Sequence, residues 1–338
     1  MTDILNSMIA SGFPEMRALV CLIVLLVSLI GAVLVSLFLR PVCVPVLWRF
    51  IDLLFGRVGD KLNRAGRRAP DLFFRGFVLL IAALFVVVAF IGCLPYVLSF
   101  FGIDASTFYF AEGVILLALV SAPGMMMSLL QLYKTIQGGR AGEGVYLSFS
   151  RGALANVAGA DDYAIARLAL GVSVRRFNDA LMAPLFWYCI FGLEGAILFA
   201  AFSAMNWRFG ERGFDNAFGM GAYAGALVMG YVPMFLSAVL LWFAALFTPR
   251  AAKGFVRSYK AAFCQGGYAL DVMAHALGVV LGGAYMGADG RKVKGPWAGD
   301  ESSSAKVELS QLRRGAYMLG VAHLLLILGF CGAYLFFA

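Results

Sequence analysis

Six stretches of this chain are too long and too apolar to be ordinary core helices: Ala18–Leu39, Phe77–Leu98, Phe110–Leu132, Ala180–Met205, Phe218–Phe247 and Tyr317–Phe337. A helix that crosses a bilayer needs about 20 mostly apolar residues. In hydrocarbon the backbone polar groups must be satisfied internally, which leaves helices and closed barrels as the spanning forms. Composition agrees. The chain is 62% hydrophobic and 14% charged, where soluble domains carry about 25% charge. The expected fold is an all-α polytopic membrane protein, one membrane domain over residues 1–338 with about six transmembrane helices. Ala18–Leu39 is longer than a secretory h-region, and Arg40-Pro41 follows it without a small-residue cleavage site, so it is expected to stay as a span. Pro233 is expected to kink the fifth span.

The 27 Lys and Arg residues set the orientation. Loops rich in these cations stay cytoplasmic. By that rule 40–75 is a basic cytoplasmic loop, 133–179 a cytoplasmic helical loop and 248–315 a cytoplasmic segment. Ser99–Tyr109 has no Lys or Arg, and Asn206–Ala217 has only Arg208 and Arg212, so both are expected outside. A seventh apolar stretch, Tyr268–Tyr285, is short, carries Asp271 and His275, and lies between two basic segments. It is expected to be a re-entrant or cytoplasm-side helix that does not cross. This arrangement puts both termini outside and 24 of 27 cations inside. The net charge of +8 therefore speaks of topology, and no nucleic-acid partner is expected. Leu53–Arg75 reads as an interfacial helix on anionic lipid. Asp161-Asp162 reads as a helix start.

Chemistry is sparse. The six Cys are scattered without a metal-like spacing, the two His are far apart, and no metal site is expected. There is no P-loop, no GxGxxG after a strand and no GxSxG elbow. Glu112 and Glu194 are too few to suggest a proton-coupled transporter. Two regions stand out. Gly282–Asp300 is cationic and Gly-rich, which suits a phosphate or a plain solvated turn. Arg175, Arg176, Asn178 and Asp179 stand at the mouth of the fourth span, as a solvated cap or as a cytoplasm-facing site.

After those residues comes APLFW, Ala183–Trp187, and then GLEGAILFAAFSAMNWRFG from Gly192. VPVLWRFIDLL from Val44, MAHALGVVLGGAYMG from Met273, KGPWAGD from Lys294 and QLRRGAYML from Gln311 complete an ordered set of blocks. Together they resemble the CobD/CbiB family of cobalamin biosynthesis membrane proteins, a superfamily shared with AmpE; the last two blocks favour the CobD/CbiB side. The resemblance implies an adenosylcobinamide-phosphate-synthase type of reaction. There an ATP-dependent amide bond joins cobyric acid to an aminopropanol or its phosphate, with ATP and Mg²⁺ as cofactors.

The chain departs from the family at several positions. Gly171 and Val172 stand where the family has Glu and Ser, and Arg175-Arg176 where it has Glu-Asn. Asp179 is kept, with Ala180 in place of Gly. Of the block at Ala261–Gly267 only Gly267 matches, Val44 replaces a His, and an Asp pair is absent around Met229–Gly230. These exchanges invert the local charge: Arg repels a metal and favours phosphate or carboxylate. Two readings remain. One is a divergent ligase with Asp179 in a catalytic role. The other is a pseudoenzyme, without cofactor, that binds a corrinoid or other anionic ligand through Arg175, Arg176, Asn178, Gly267, Asp271 and Lys294, or serves a membrane complex or homo-oligomer as a scaffold. Either is expected in the cell membrane, the bacterial inner membrane by its pattern.

Overall fold

The computed structural model describes residues 13–38, 43–64, 66–100, 105–138, 149–150, 152–157, 159–210, 212–249, 267–287, 290–293, 295 and 297–337. Of the residues singled out above, Lys294 and positions 261–266 lie outside this set. The described residues are nearly all helical, as the apolar runs require. Among the described residues five helical stretches are long and apolar enough to cross a membrane: Glu15–Phe38, Ala69–Cys93, Tyr109–Gln137, Met220–Leu246 and Leu309–Phe337. The first is helix α1 (Phe13–Phe38), and the second belongs to α4 (Ala69–Phe100). Between them lie α2 (Val46–Ile51), a π segment (Asp52–Gly56) and α3 (Arg57–Leu62). This short basic run exposes Val46, Phe50, Leu53, Leu54 and Val58, a surface suited to the lipid interface.

The third span is two helices, α5 (Ala105–Leu119) and α6 (Ala122–Gln137). Ser121 breaks it, with φ −140° and ψ 0°, and Pro123 lies in the first turn of α6. Proline lacks an N–H and suits only that turn. The break is matched elsewhere. α7 (Asp162–Phe177) passes through a π segment (Asn178–Met182) in which Ala180 has non-helical angles. The Ala180 carbonyl released there accepts the Ser121 N–H at 3.1 Å. Irregular backbone at membrane depth is tolerated where the protein itself supplies the missing partner. As expected, α7 starts at Asp161, whose carboxylate accepts the Ala164 N–H.

The expected fourth span does not form one helix. α8 (Ala183–Phe191) stops at Gly192, at φ +72°, and α9 (Leu193–Phe209) begins there. Only glycine takes that angle without strain, so the run is divided where its side chain is smallest. At the end of α9, Arg208 forms ion pairs with Asp52 at 2.8 Å and Asp60 at 2.6 Å. Residues in an ion pair cannot face opposite sides of a ~30 Å hydrocarbon core. Arg208 therefore shares a face with the 40–75 segment, and placing Asn206–Ala217 on the opposite side is corrected. The expectation took the fourth apolar run as a single crossing, whereas its division at Gly192 lets α9 bring Arg208 back to that face.

α10 (Met220–Leu246) runs unbroken across Pro233. α11 (Gly267–Leu277) has 11 residues, a length of about 16 Å at 1.5 Å per residue, too short to cross. Four two-residue strands follow it: β1 (Leu281–Gly282), β2 (Tyr285–Met286), β3 (Lys292–Val293) and β4 (Trp297–Ala298). β1 pairs antiparallel with β4, and β2 with β3. So the doubtful apolar stretch becomes a short helix and a strand-rich loop. α12 (Leu309–Phe337) packs along α1, where His323 Nε2 meets the Leu25 carbonyl at 3.3 Å. Among the described residues Trp48, Tyr188, Phe149 and Phe199 are the largest side chains closed off from the surface.

Candidate functional site

The helical spacing of α7 places Ala164, Ile165, Leu168, Gly171, Val172, Arg175 and Arg176 along one face, with Arg167 beside them. That face forms one wall of a cavity of about 300 Å³. The loop from Gly152 to Ala160 and the turn Gly282–Met286 form the others, and Asn206 and Trp207 of α9 close one end. Asn156 donates its N–H to the Met286 carbonyl at 2.8 Å, and Ala155 bridges to Gly287, so the two loops are one unit. Gly282 and Gly283 take φ of +81° and +80°. A Cβ on Gly283 would also strike the Trp297 ring, so only glycine lets the chain turn under that ring.

Arg176 is the centre of the site. It is 3% exposed. Its Nη2 donates to the Gly152 carbonyl at 2.7 Å. Trp207 Nε1 donates to the same oxygen at 2.9 Å. The guanidinium lies 4.3 Å from the Trp48 ring and 5.8 Å from the Trp207 ring. Among the described residues its Nε has no hydrogen-bond partner. Burial, and then the neighbouring Arg175 charge, push Arg176 down to about 9; it remains a cation at neutral pH. A buried cation whose donor is unused is costly unless an acceptor comes to it.

Arg175 is turned toward its own helix. Its Nε pairs with Asp179 Oδ2 at 3.3 Å. Asp179 Oδ1 accepts from Asn178 Nδ2 at 2.8 Å, and Asn178 Oδ1 accepts from Ser237 of α10 at 3.1 Å. Asn178 and Asp179 thus join Arg175 in a chain of contacts just beyond the cavity wall. Arg167 donates to the Ala305 carbonyl at 3.2 Å and lies 5.1 Å from the Trp297 ring. Burial pushes its guanidinium down, against the Asp161 charge.

The other singled-out residues lie elsewhere. Gly267, at φ +49°, opens α11 against the Met234 side chain. Asp271 is buried on α11, accepts the Gly299 N–H at 3.0 Å and faces His275 Nδ1 at 3.4 Å, which ties the strand-rich loop to the helix. Neither lines the cavity. Three participants were not singled out: Arg167, Trp48 and Trp207. Arg167 was legible, two helical turns before Arg175 on α7. Nothing local marks the tryptophans, which come from distant segments. Among the described residues that line the cavity there are three arginines and no carboxylate.

The family model for CobD/Cbib proteins matches residues 29–318. A probable cobalamin biosynthesis protein CobD from Methanococcus aeolicus is 31% identical over 114 residues, which cover 31% of this chain and 35% of that protein. One of the same description from Archaeoglobus fulgidus is 34% identical over 106 residues, 31% of this chain and 34% of that protein. The chain thus spans about a third of the length of the curated relatives it matches. No solved structure matches. With a family model covering most of its length, on a polytopic helical frame, this chain belongs to the CobD/CbiB family.

Proposed function

We propose that this member of a cobalamin biosynthesis family is a pseudoenzyme that binds a small anion in the α7 cavity without metal. The observation that carries the reading is the lining: Arg167, Arg175 and Arg176, with no carboxylate among the described residues. Mg²⁺ is held through carboxylates and phosphate oxygens. Nothing in the described lining fits that demand, so no Mg²⁺-ATP is expected to bind there. Arginine recognises phosphate or carboxylate through a planar fork of donors. A volume of about 300 Å³ stands at the small end of ligand sites, which run from about 300 to 1,000 Å³. It suits a phosphorylated amino alcohol or one carboxylate arm of a larger molecule; a whole corrinoid ring is too large. The reading includes residence in a bacterial inner membrane and a scaffold role toward a membrane partner or a second copy.

The alternative, a divergent ligase, draws on Asp179, held 3.3 Å from Arg175 at the edge of the cavity. The test uses the purified protein in detergent. Thermal stabilisation by aminopropanol phosphate is expected with or without Mg²⁺. Incubation with ATP, Mg²⁺, adenosylcobyric acid and aminopropanol phosphate is expected to give no amide product by mass spectrometry. Product that disappears in Asp179→Ala would sink the pseudoenzyme reading and restore the ligase.

A further inference from the structure

α1 and α8 meet away from the cavity, and two thiols meet there. Cys21 Sγ of α1 and Cys189 Sγ of α8 lie 3.8 Å apart. Cys21 is completely buried, while Cys189 is exposed. Contacts around the pair hold its helices near one another. Arg17 donates to the Cys189 carbonyl at 3.1 Å and to the Ile190 carbonyl at 3.3 Å. The same guanidinium lies 5.9 Å from the Tyr188 ring. Tyr188 in turn donates its hydroxyl to Glu112 Oε2 at 2.6 Å. These contacts tie α1, α5 and α8 together around the thiols. Cys43, by contrast, is engaged with Ser128 at 3.0 Å.

We propose that Cys21 and Cys189 form a disulfide on exposure to a two-electron oxidant of the azo or disulfide class. An S–S bond is about 2.0 Å long, so the sulfurs must close by roughly half their present separation, a movement available to side-chain rotation and a small shift of α8. Exposure sets the order of events. Cys189, on the outer surface of an apolar helix, is the sulfur that a membrane-permeant oxidant reaches, and buried Cys21 is the resolving thiol. With an azo oxidant the Cys189 thiolate adds to one nitrogen of N=N. The Cys21 thiolate then attacks Cys189 Sγ, the S–S bond forms and the S–N bond breaks. The nitrogens leave as a hydrazine that has taken both thiol protons and two electrons. The positive-inside orientation puts this end of α1 outside, where disulfides persist. A bond here would fix α8, whose other end leads through the π segment to Asp179 and Arg175.

The test treats the whole protein in detergent with diamide, blocks remaining thiols with N-ethylmaleimide under denaturation, and digests it without reductant. The expected result is a linked pair of peptides containing Cys21 and Cys189, lighter by two hydrogens than their sum and split by reductant. Two maleimides fewer than on the untreated chain should be found. Cys189→Ser should leave Cys21 fully alkylated after the same treatment. The proposal fails if both peptides carry maleimide after diamide, or if either cysteine is found linked to another partner. The wild-type peptide map decides this even if the serine variant folds poorly.

Discussion

Arg17 and Arg176 each lie over an aromatic ring, 5.9 Å from Tyr188 and 4.3 Å from Trp48, yet their surroundings ask opposite things of them. Arg17 donates to two carbonyls at the end of α8, and the ring beneath it is anchored by Glu112. Among the described residues Arg176 has one carbonyl, shared with Trp207, and an Nε that none of them accepts. The first arginine is consumed by the fold. The second is held in place by the fold and left short of an acceptor at the wall of a cavity. That difference separates an arginine satisfied by packing from one with a donor left to offer, although both read simply as R in the sequence.

The sharpest way to break the comparison is Arg176→Met. It should cut affinity for aminopropanol phosphate about a hundredfold, since a charge-assisted fork is lost. It should leave the empty protein as stable or more so, because an uncompensated buried charge gives way to an apolar chain. Calorimetric titration and thermal unfolding of the same sample check both signs. Loss of stability with affinity unchanged would make Arg176 a second Arg17. Gly283→Ala should destabilise by about 2 kcal/mol through positive φ and collision with Trp297, read as a lower melting temperature and faster proteolysis near Tyr285. Arg17→Met should lower stability by about 1–2 kcal/mol through its lost hydrogen bonds and leave anion affinity unchanged.

Titration sharpens the contrast. The folded value of Arg176, about 9, lies below the ordinary 12.5. The charge therefore opposes folding below that window, and the empty protein gains stability from this group as pH rises through it. Anion affinity should fall over the same rise, because the cation is what the ligand meets; titrations across that window check it. The smallest effect belongs to Asp179→Asn. The pair with Arg175 is partly exposed, so its loss should cost at most about 1 kcal/mol. Anion affinity should rise slightly as a competing carboxylate disappears.

Much of the fold was legible because hydrocarbon imposes one requirement over long runs. The uncharged Ala18–Leu39 could hardly be anything but a span, and Asp161 announced the start of α7. The fourth apolar run looked equally sound, but a hydropathy pattern does not register that Gly192 takes φ +72° and divides it. Half of the site was also visible: Arg175 and Arg176 were marked by charge at the mouth of an apolar stretch, and the glycines of the 282–283 turn by their composition. Trp48 and Trp207 were invisible, since each is one more aromatic in a chain that is 14% aromatic.

By itself the sequence determined what is additive along the chain: apolar length, hence helices in lipid, and the ordered blocks that place the chain in its family. It placed two arginines, Arg175 and Arg176, at the mouth of an apolar stretch. Only the tertiary structure decided what each arginine does, because an acceptor, a ring or a cavity wall is supplied by other segments, from 24 to 173 residues away. Arg208 belongs with Asp52, Arg17 with Cys189 and Ile190, and Arg176 with Trp48 and the cavity. Charge is a property of a residue, whereas compensation is a property of the place where it is packed.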